Sequence, residues 1–140
     1  LWQIQNPNST VIKIQDSRAW ATVLLAPWNG SLLDNGISST DSNILLIASD
    51  IDETVPLYEV NNTRNLLSEN VLHSALLIDA GHYHYAPIGC AVRGCVGNLS
   101  IDEATDFTNI SILIFLAQML QWPGANDYQM PDREFVEWRV

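Results

Sequence analysis

The chain has 140 residues, 47% of them hydrophobic, enough for one ordinary globular core and too few for two large domains. Its formal net charge is −10, with one lysine (Lys13) and five arginines, so it repels phosphate backbones and anionic bilayers, and neither nucleic acid nor membrane is expected as a partner. No apolar run reaches the ~18 residues that a spanning helix requires; the nearest, Ile110 to Leu120, is broken by Ser111 and Gln118.

The first 40 residues are rich in Asn, Ser and Gly and weakly periodic, with a β-like run over Thr10 to Ile14 and a helix-compatible stretch over Ser17 to Leu25. Residues 1–40 read as an irregular or lid-like segment in which Trp2, Trp20 and Trp28 are packing anchors or pocket walls. The chain starts at Leu1 without the basic, apolar, small-residue order of a signal peptide, which suggests a processed or excised segment.

Clear order is expected from Ile44 to Ala48, whose continuous apolar run ILLIA suits a parallel strand covered on both faces. A polar loop follows, Ser49-Asp50-Ile51-Asp52-Glu53-Thr54. Then comes a helix with Pro56 in its first turn, Thr54 as cap, and Leu57, Val60 and Leu67 on one face. Ala75 to Ile78 is a second short buried strand ending in the loop Asp79-Ala80-Gly81-His82-Tyr83-His84. His73 enters this strand among apolar residues and is expected to be structural. After Pro87 a short helix is predicted through the cysteines, and Ser100 with Glu103 forms a capping box for a helix over residues 101–121. That helix is apolar nearly all round between Ile110 and Leu120, which predicts burial against more than one neighbour, and Pro123-Gly124 stops it.

Residues 41–121 therefore form a β-α-β-α core of the α/β class, and residues 122–140, with Tyr128, Phe135 and Trp138, read as a tail on a surface or a partner. Two strands are too few for a sheet buried on both faces, so further strands are expected from another chain or segment.

Cys90 and Cys95, with four residues between them, lack the second ligand pair of a structural zinc site, and a short-loop disulfide is preferred over pairing with another segment or free thiols. Five N-x-S/T sequons stand at Asn8, Asn29, Asn61, Asn98 and Asn109. With the cysteines they favour a secreted, extracellular glycoprotein. Asn109 is set aside as a glycosylation site because it falls inside the long predicted helix.

In open α/β sheets, functional residues collect in loops beyond the carboxyl ends of the strands. Those loops offer Asp50 or Asp52 after the first strand and His82 or His84 after the second. An acid followed about 30 residues later by a histidine is the latter part of the Ser-Asp-His order of α/β-hydrolases. There the acid accepts the histidine's Nδ1–H, sets its tautomer and stabilises the imidazolium formed when Nε2 takes the nucleophile's proton.

The stretch Ile44-Leu-Leu-Ile-Ala-Ser-Asp-Ile-Asp-Glu-Thr-Val-Pro56 resembles the acid loop of the tripeptidyl aminopeptidase-like C-terminal region of α/β-hydrolase peptidases, where G-x-x-D-P-V-T-P follows an apolar strand. Ala80-Gly81-His82, with Cys90 eight residues after the histidine, is similar to that family's histidine loop. The resemblance covers roughly residues 41–100 and implies that the chain is the C-terminal part of an α/β-hydrolase fold, with Asp52 the catalytic acid and His82 the base. Ser49 stands where that family has Gly and Glu53 where it has Pro, departures that bear on substrate class more than on fold.

No G-x-S-x-G elbow occurs in the chain, and neither Ser31 nor Ser49 sits on one. The expected partner is thus an N-terminal segment or chain of the same hydrolase that carries the serine, acting on a small peptide or ester. No metal or organic cofactor is implied. Tyr83 and Tyr85 beside the base are pocket walls or packed anchors, with Tyr83 the candidate substrate contact. The competing readings are an esterase or lactonase of the same fold, a metal site built from His82, His84, Asp50 and Asp52, and a non-catalytic binding or assembly subunit.

Overall fold

The computed structural model describes residues 19–28 and 42–139. The run Thr10 to Ile14 and the sequons at Asn8 and Asn29 lie outside those residues. The described chain is a mixed α/β unit built on four strands in the order β1-β2-β3-β4. These are β1 (Ala21–Leu25), β2 (Asn43–Ser49), β3 (Val71–Leu77) and β4 (Val136–Arg139). The first three run parallel, and β4 returns antiparallel along β3. Among the described residues no helix is long and apolar enough to cross a membrane.

Alternate residues of the central strands serve opposite faces, as the two-residue strand period requires. Leu45 and Ile47 of β2 and Ala75 and Leu77 of β3 meet Ala104, Phe107 and Phe115 of the long helix on one face. Ile44, Leu46 and Ala48, with Leu76, meet Val55, Val60 and Leu67 on the other. Burial on both faces is why ILLIA is apolar throughout instead of alternating.

Helix α1 (Leu57–Leu66) forms the crossover between β2 and β3. Its cap is Pro56 rather than Thr54, and no side chain caps it; the Thr54 and Val55 amides just upstream donate to Asp52. The short helix α2 (Pro87–Arg93) begins at the proline itself and takes in Cys90 but ends before Cys95, so it does not run through both cysteines. Helix α3 (Ile101–Met119) starts at Ser100, whose Oγ accepts the Glu103 amide.

Several expectations are corrected here. The stretch read as a helix over Ser17 to Leu25 contains β1, because ATVLL is β-branched and apolar and pairs in register with Asn43 to Ile47. The sheet takes two strands beyond the two expected, and both come from this chain. The end of the supposed surface tail is β4, seated by Trp138 and Phe135 against the core face that α3 covers. The Ile78 amide donates to the Phe135 carbonyl, and the Trp138 indole donates to the Pro131 carbonyl. Helix α3 is buried along one face only: Leu113 is 66% exposed, and Ile110 and Leu120 are exposed beside it.

Candidate active site

Both loops leave the sheet at the carboxyl ends of neighbouring strands and are stitched together before any functional side chain is reached. The Asp50 amide donates to Leu77 O (3.0 Å), and the Ile51 amide to Ala80 O (3.3 Å). In return the Ala80 amide donates to Asp50 Oδ1 at 3.2 Å. Asp50 is thereby used as a loop brace.

Asp52 lies two residues further on and its side chain is wholly buried. Its Oδ1 accepts the amides of Thr54 (2.8 Å) and Val55 (2.6 Å), which fixes the plane of the carboxylate. The second oxygen, Oδ2, points to His82 Nδ1 at 2.9 Å. Since a carboxylate oxygen accepts, the imidazole donates its Nδ1–H, and in the neutral ring Nε2 then carries the lone pair. His82 keeps 25% of its side chain exposed, and among the described residues Nε2 has no hydrogen-bond partner. A buried acid thus fixes the ring of a part-exposed histidine, an arrangement in which a neutral imidazole can take a proton at Nε2.

The backbone around His82 is tightly determined. Asp79, at φ 58°, turns the chain out of β3 in the left-handed region. That turn is held by the Leu99 amide on Asp79 O (3.0 Å) and by Asn98 Nδ2 on Asp79 Oδ2 (2.9 Å). Gly97 runs so close that a Cβ there would sit 2.2 Å from Asp79 O. Residues His82–Tyr85 form a single 3-10 turn. Glu53 Oε2 accepts the His82 amide at 3.2 Å and fills the space beside Gly81, where a Cβ would lie 2.7 Å from it.

Ser49, at the end of β2, donates from Oγ to Gly81 O at 3.3 Å and meets Tyr85 Oη at 2.5 Å. Ser49 has one proton and the carbonyl can only accept, so Tyr85 donates to Ser49. Burial holds the Tyr85 phenol well above its usual acidity range; the Ser49 hydrogen bond opposes this, and the Asp52 and Asp50 charges add to it. Tyr83 packs edge-on against the His82 ring, with centroids 5.1 Å apart, and its own ring fills the space beside Gly89. It is a packed neighbour of the imidazole.

The proposed ligand set His82, His84, Asp50 and Asp52 is not assembled. His84 is fully buried, with its nitrogens on Gly81 and Leu99, while Asp50 turns to Ala80. Among the described residues, His84, Cys90 and Cys95 do bring potential ligand atoms within 4.8 Å of one another, but the two sulfurs are joined in a disulfide. The Cys90–Cys95 disulfide, with Cα atoms 4.9 Å apart, ties the start of α2's last turn to the 96–99 strap.

Of the sequons within the described residues, Asn98 is exposed on that strap, and Asn61 is half-buried within α1. Asn109 is exposed on α3, but the hydroxyl of its sequon, Ser111, is buried. A cleft of about 550 Å³ opens beyond the end of α3, lined by Gln118, Gln121, Trp122, Gly124, Ala125, Asn126 and Asp127, and includes no residue of the His82 loop.

The sequence pointed to Asp52, His82 and Tyr83 but gave no role to Ser49 or Glu53, and it offered His84 only as the alternative loop histidine or a metal ligand. These three hold the loop that carries the imidazole. No periodicity marks them, since each acts through side-chain to backbone bonds across a loop. No protein-family model matches the chain, and no curated protein matches it.

Proposed function

We propose that the chain is the acid- and base-bearing C-terminal part of a secreted serine hydrolase of the α/β-hydrolase type, with Asp52 and His82 completing a triad whose serine lies on another segment. The observation that carries this reading is the 2.9 Å contact between a buried carboxylate and a part-exposed imidazole. Support comes from the position of the pair, on loops at the carboxyl ends of adjacent parallel strands, where open α/β sheets place their chemistry. It comes also from the resemblance of both loops to those of tripeptidyl aminopeptidase-like peptidases.

In this mechanism His82 Nε2 takes the serine proton as the hydroxyl attacks an acyl carbon, then returns it to the leaving amine or alcohol. Asp52 holds the ring's tautomer and faces the imidazolium without itself taking the proton. Tyr83, against the ring edge, borders the substrate. The loops resemble those of peptidases, so short peptides are the proposed substrates.

Treating the purified native assembly with a fluorophosphonate probe tests the reading, with the labelled peptide sequenced. A label on a serine of a copurifying segment, lost in the His82→Ala variant, is the expected result. No label on a folded assembly would sink the hydrolase reading and leave a binding or assembly subunit in its place.

A further inference from the structure

We propose that His84 is a positioning residue: an uncharged imidazole that grips the Gly81 amide and thereby sets the orientation in which His82 meets Asp52. The catalytic consequence of this clamp rests on the hydrolase reading, whereas the clamp itself does not.

His84 is 0% exposed, and both of its ring nitrogens are engaged. Nδ1 faces the Gly81 amide at 2.9 Å and lies farther, at 3.3 Å, from the Gly81 carbonyl, while Nε2 faces the Leu99 carbonyl at 3.0 Å. An amide N–H can only donate and the Leu99 carbonyl can only accept, so the shorter Nδ1 contact requires a lone pair there and Nε2 carries the proton. A single neutral tautomer satisfies both ends.

The locations of those two partners separate this ring from an ordinary satisfied core histidine. Gly81 immediately precedes His82, and the His84 amide returns to Gly81 O at 3.3 Å, so side chain and backbone of one residue close on the same peptide. Leu99 is itself anchored to Asp79, the residue that turns β3 into the loop. The ring thus cross-braces both ends of the segment from which His82 projects.

Consecutive amides are held by different side chains, Gly81 by buried His84 and His82 by exposed Glu53. A hydrogen bond away from water is the stronger constraint, and its loss leaves a buried donor unpaired. Rotation of the Gly81 peptide would carry the His82 Nδ1–H away from Asp52 Oδ2, which the two backbone amides of Thr54 and Val55 hold in place.

The test is nitrogen-edited NMR on the full chain near neutral pH. In the unaltered protein, His84 is expected as the Nε2–H tautomer, and His82 is expected to show a low-field Nδ1–H resonance from its bond to Asp52. Asn at position 84 keeps an acceptor near the Nδ1 position, whereas Gln keeps a donor near the Nε2 position. His84→Asn should therefore retain the low-field resonance. His84→Gln should broaden it and speed exchange of the Gly81 amide roughly tenfold, about the loss of one net hydrogen bond.

A charged or Nδ1–H form of His84 in the unaltered chain overturns the proposal without any variant having to fold. So does an unchanged low-field resonance in folded His84→Gln. Absence of that resonance from the unaltered chain would overturn the Asp52–His82 pair and the clamp together. If the resonances behave as stated but the assembly takes no serine-directed label, the clamp stands and only the hydrolase reading fails.

Discussion

Asp52 does two things, and a pair of substitutions separates them. Asp52→Asn keeps Oδ1, hence the Thr54 and Val55 amide bonds, but presents an NH2 group to His82 Nδ1. The ring must then turn a lone pair toward it and carry its proton on Nε2, where it cannot accept one from a nucleophile. Stability should stay within about 1 kcal/mol of the native chain, because one hydrogen bond is exchanged for another. Turnover, or the rate of fluorophosphonate labelling, should fall about 10⁴-fold, the effect expected of a triad acid amidated in place.

Asp52→Ala removes every acceptor. Thr54 is exposed and its amide turns to water, but Val55 is buried and its amide is orphaned at a cost of about 1–3 kcal/mol. The loss of the imidazole bond adds about 1 kcal/mol. The total of about 2–4 kcal/mol corresponds to a fall in Tm of about 10 °C for a domain of this size. Urea melts and labelling kinetics measure the two effects. Unchanged labelling of Asp52→Asn would refute the reasoning, as would equal destabilisation by Asn and Ala.

Gly97 sits at φ 104° with its missing Cβ 2.2 Å from the Asp79 carbonyl, so Gly97→Ala should cost about 2–4 kcal/mol in chemical denaturation, through strain and displacement of the strap. The Cys90–Cys95 bond spans five positions; replacing both cysteines by Ala should lower unfolding free energy by about 2 kcal/mol, the chain-entropy value for so short a loop, without changing secondary structure by circular dichroism. Burial lowers the pKa of His73 below its ordinary 6.5, against the opposing Gln118 hydrogen bond. The unfolded chain therefore binds this proton more readily, and stability is lost as pH falls through about 6.5. His73→Phe, which preserves the aromatic contacts with Phe115 and Trp138, should flatten that decline in Tm; an undiminished slope would refute it.

Apolar contiguity made β2 and the end of β3 legible, because a strand covered on both faces must be hydrophobic at every position. Helix α3 was legible from the Ser100 and Glu103 capping pattern and the long apolar run behind it. Strand β1 was misread because five apolar and β-branched residues carry no period long enough to distinguish a short strand from the end of a helix. Only its register against β2 decides it. For β4 the deciding contacts lie more than 50 residues back along the chain, in β3.

The loops show the same division at the level of single atoms. Composition and order along the chain were enough to bring two acids and two histidines to the carboxyl ends of neighbouring strands. Within each pair the residues are chemically identical and two positions apart, so periodicity does not rank them, and only the resemblance of the two loops favoured Asp52 and His82. Folding separates them through space: Asp50 goes to the Ala80 amide and Asp52 to an imidazole, while His84 is consumed by Gly81 and Leu99 and His82 stays part-exposed. Hydrogen bonds between loops are made by distance and direction, which depend on how the strands are paired, and strand pairing is a property of the assembled sheet.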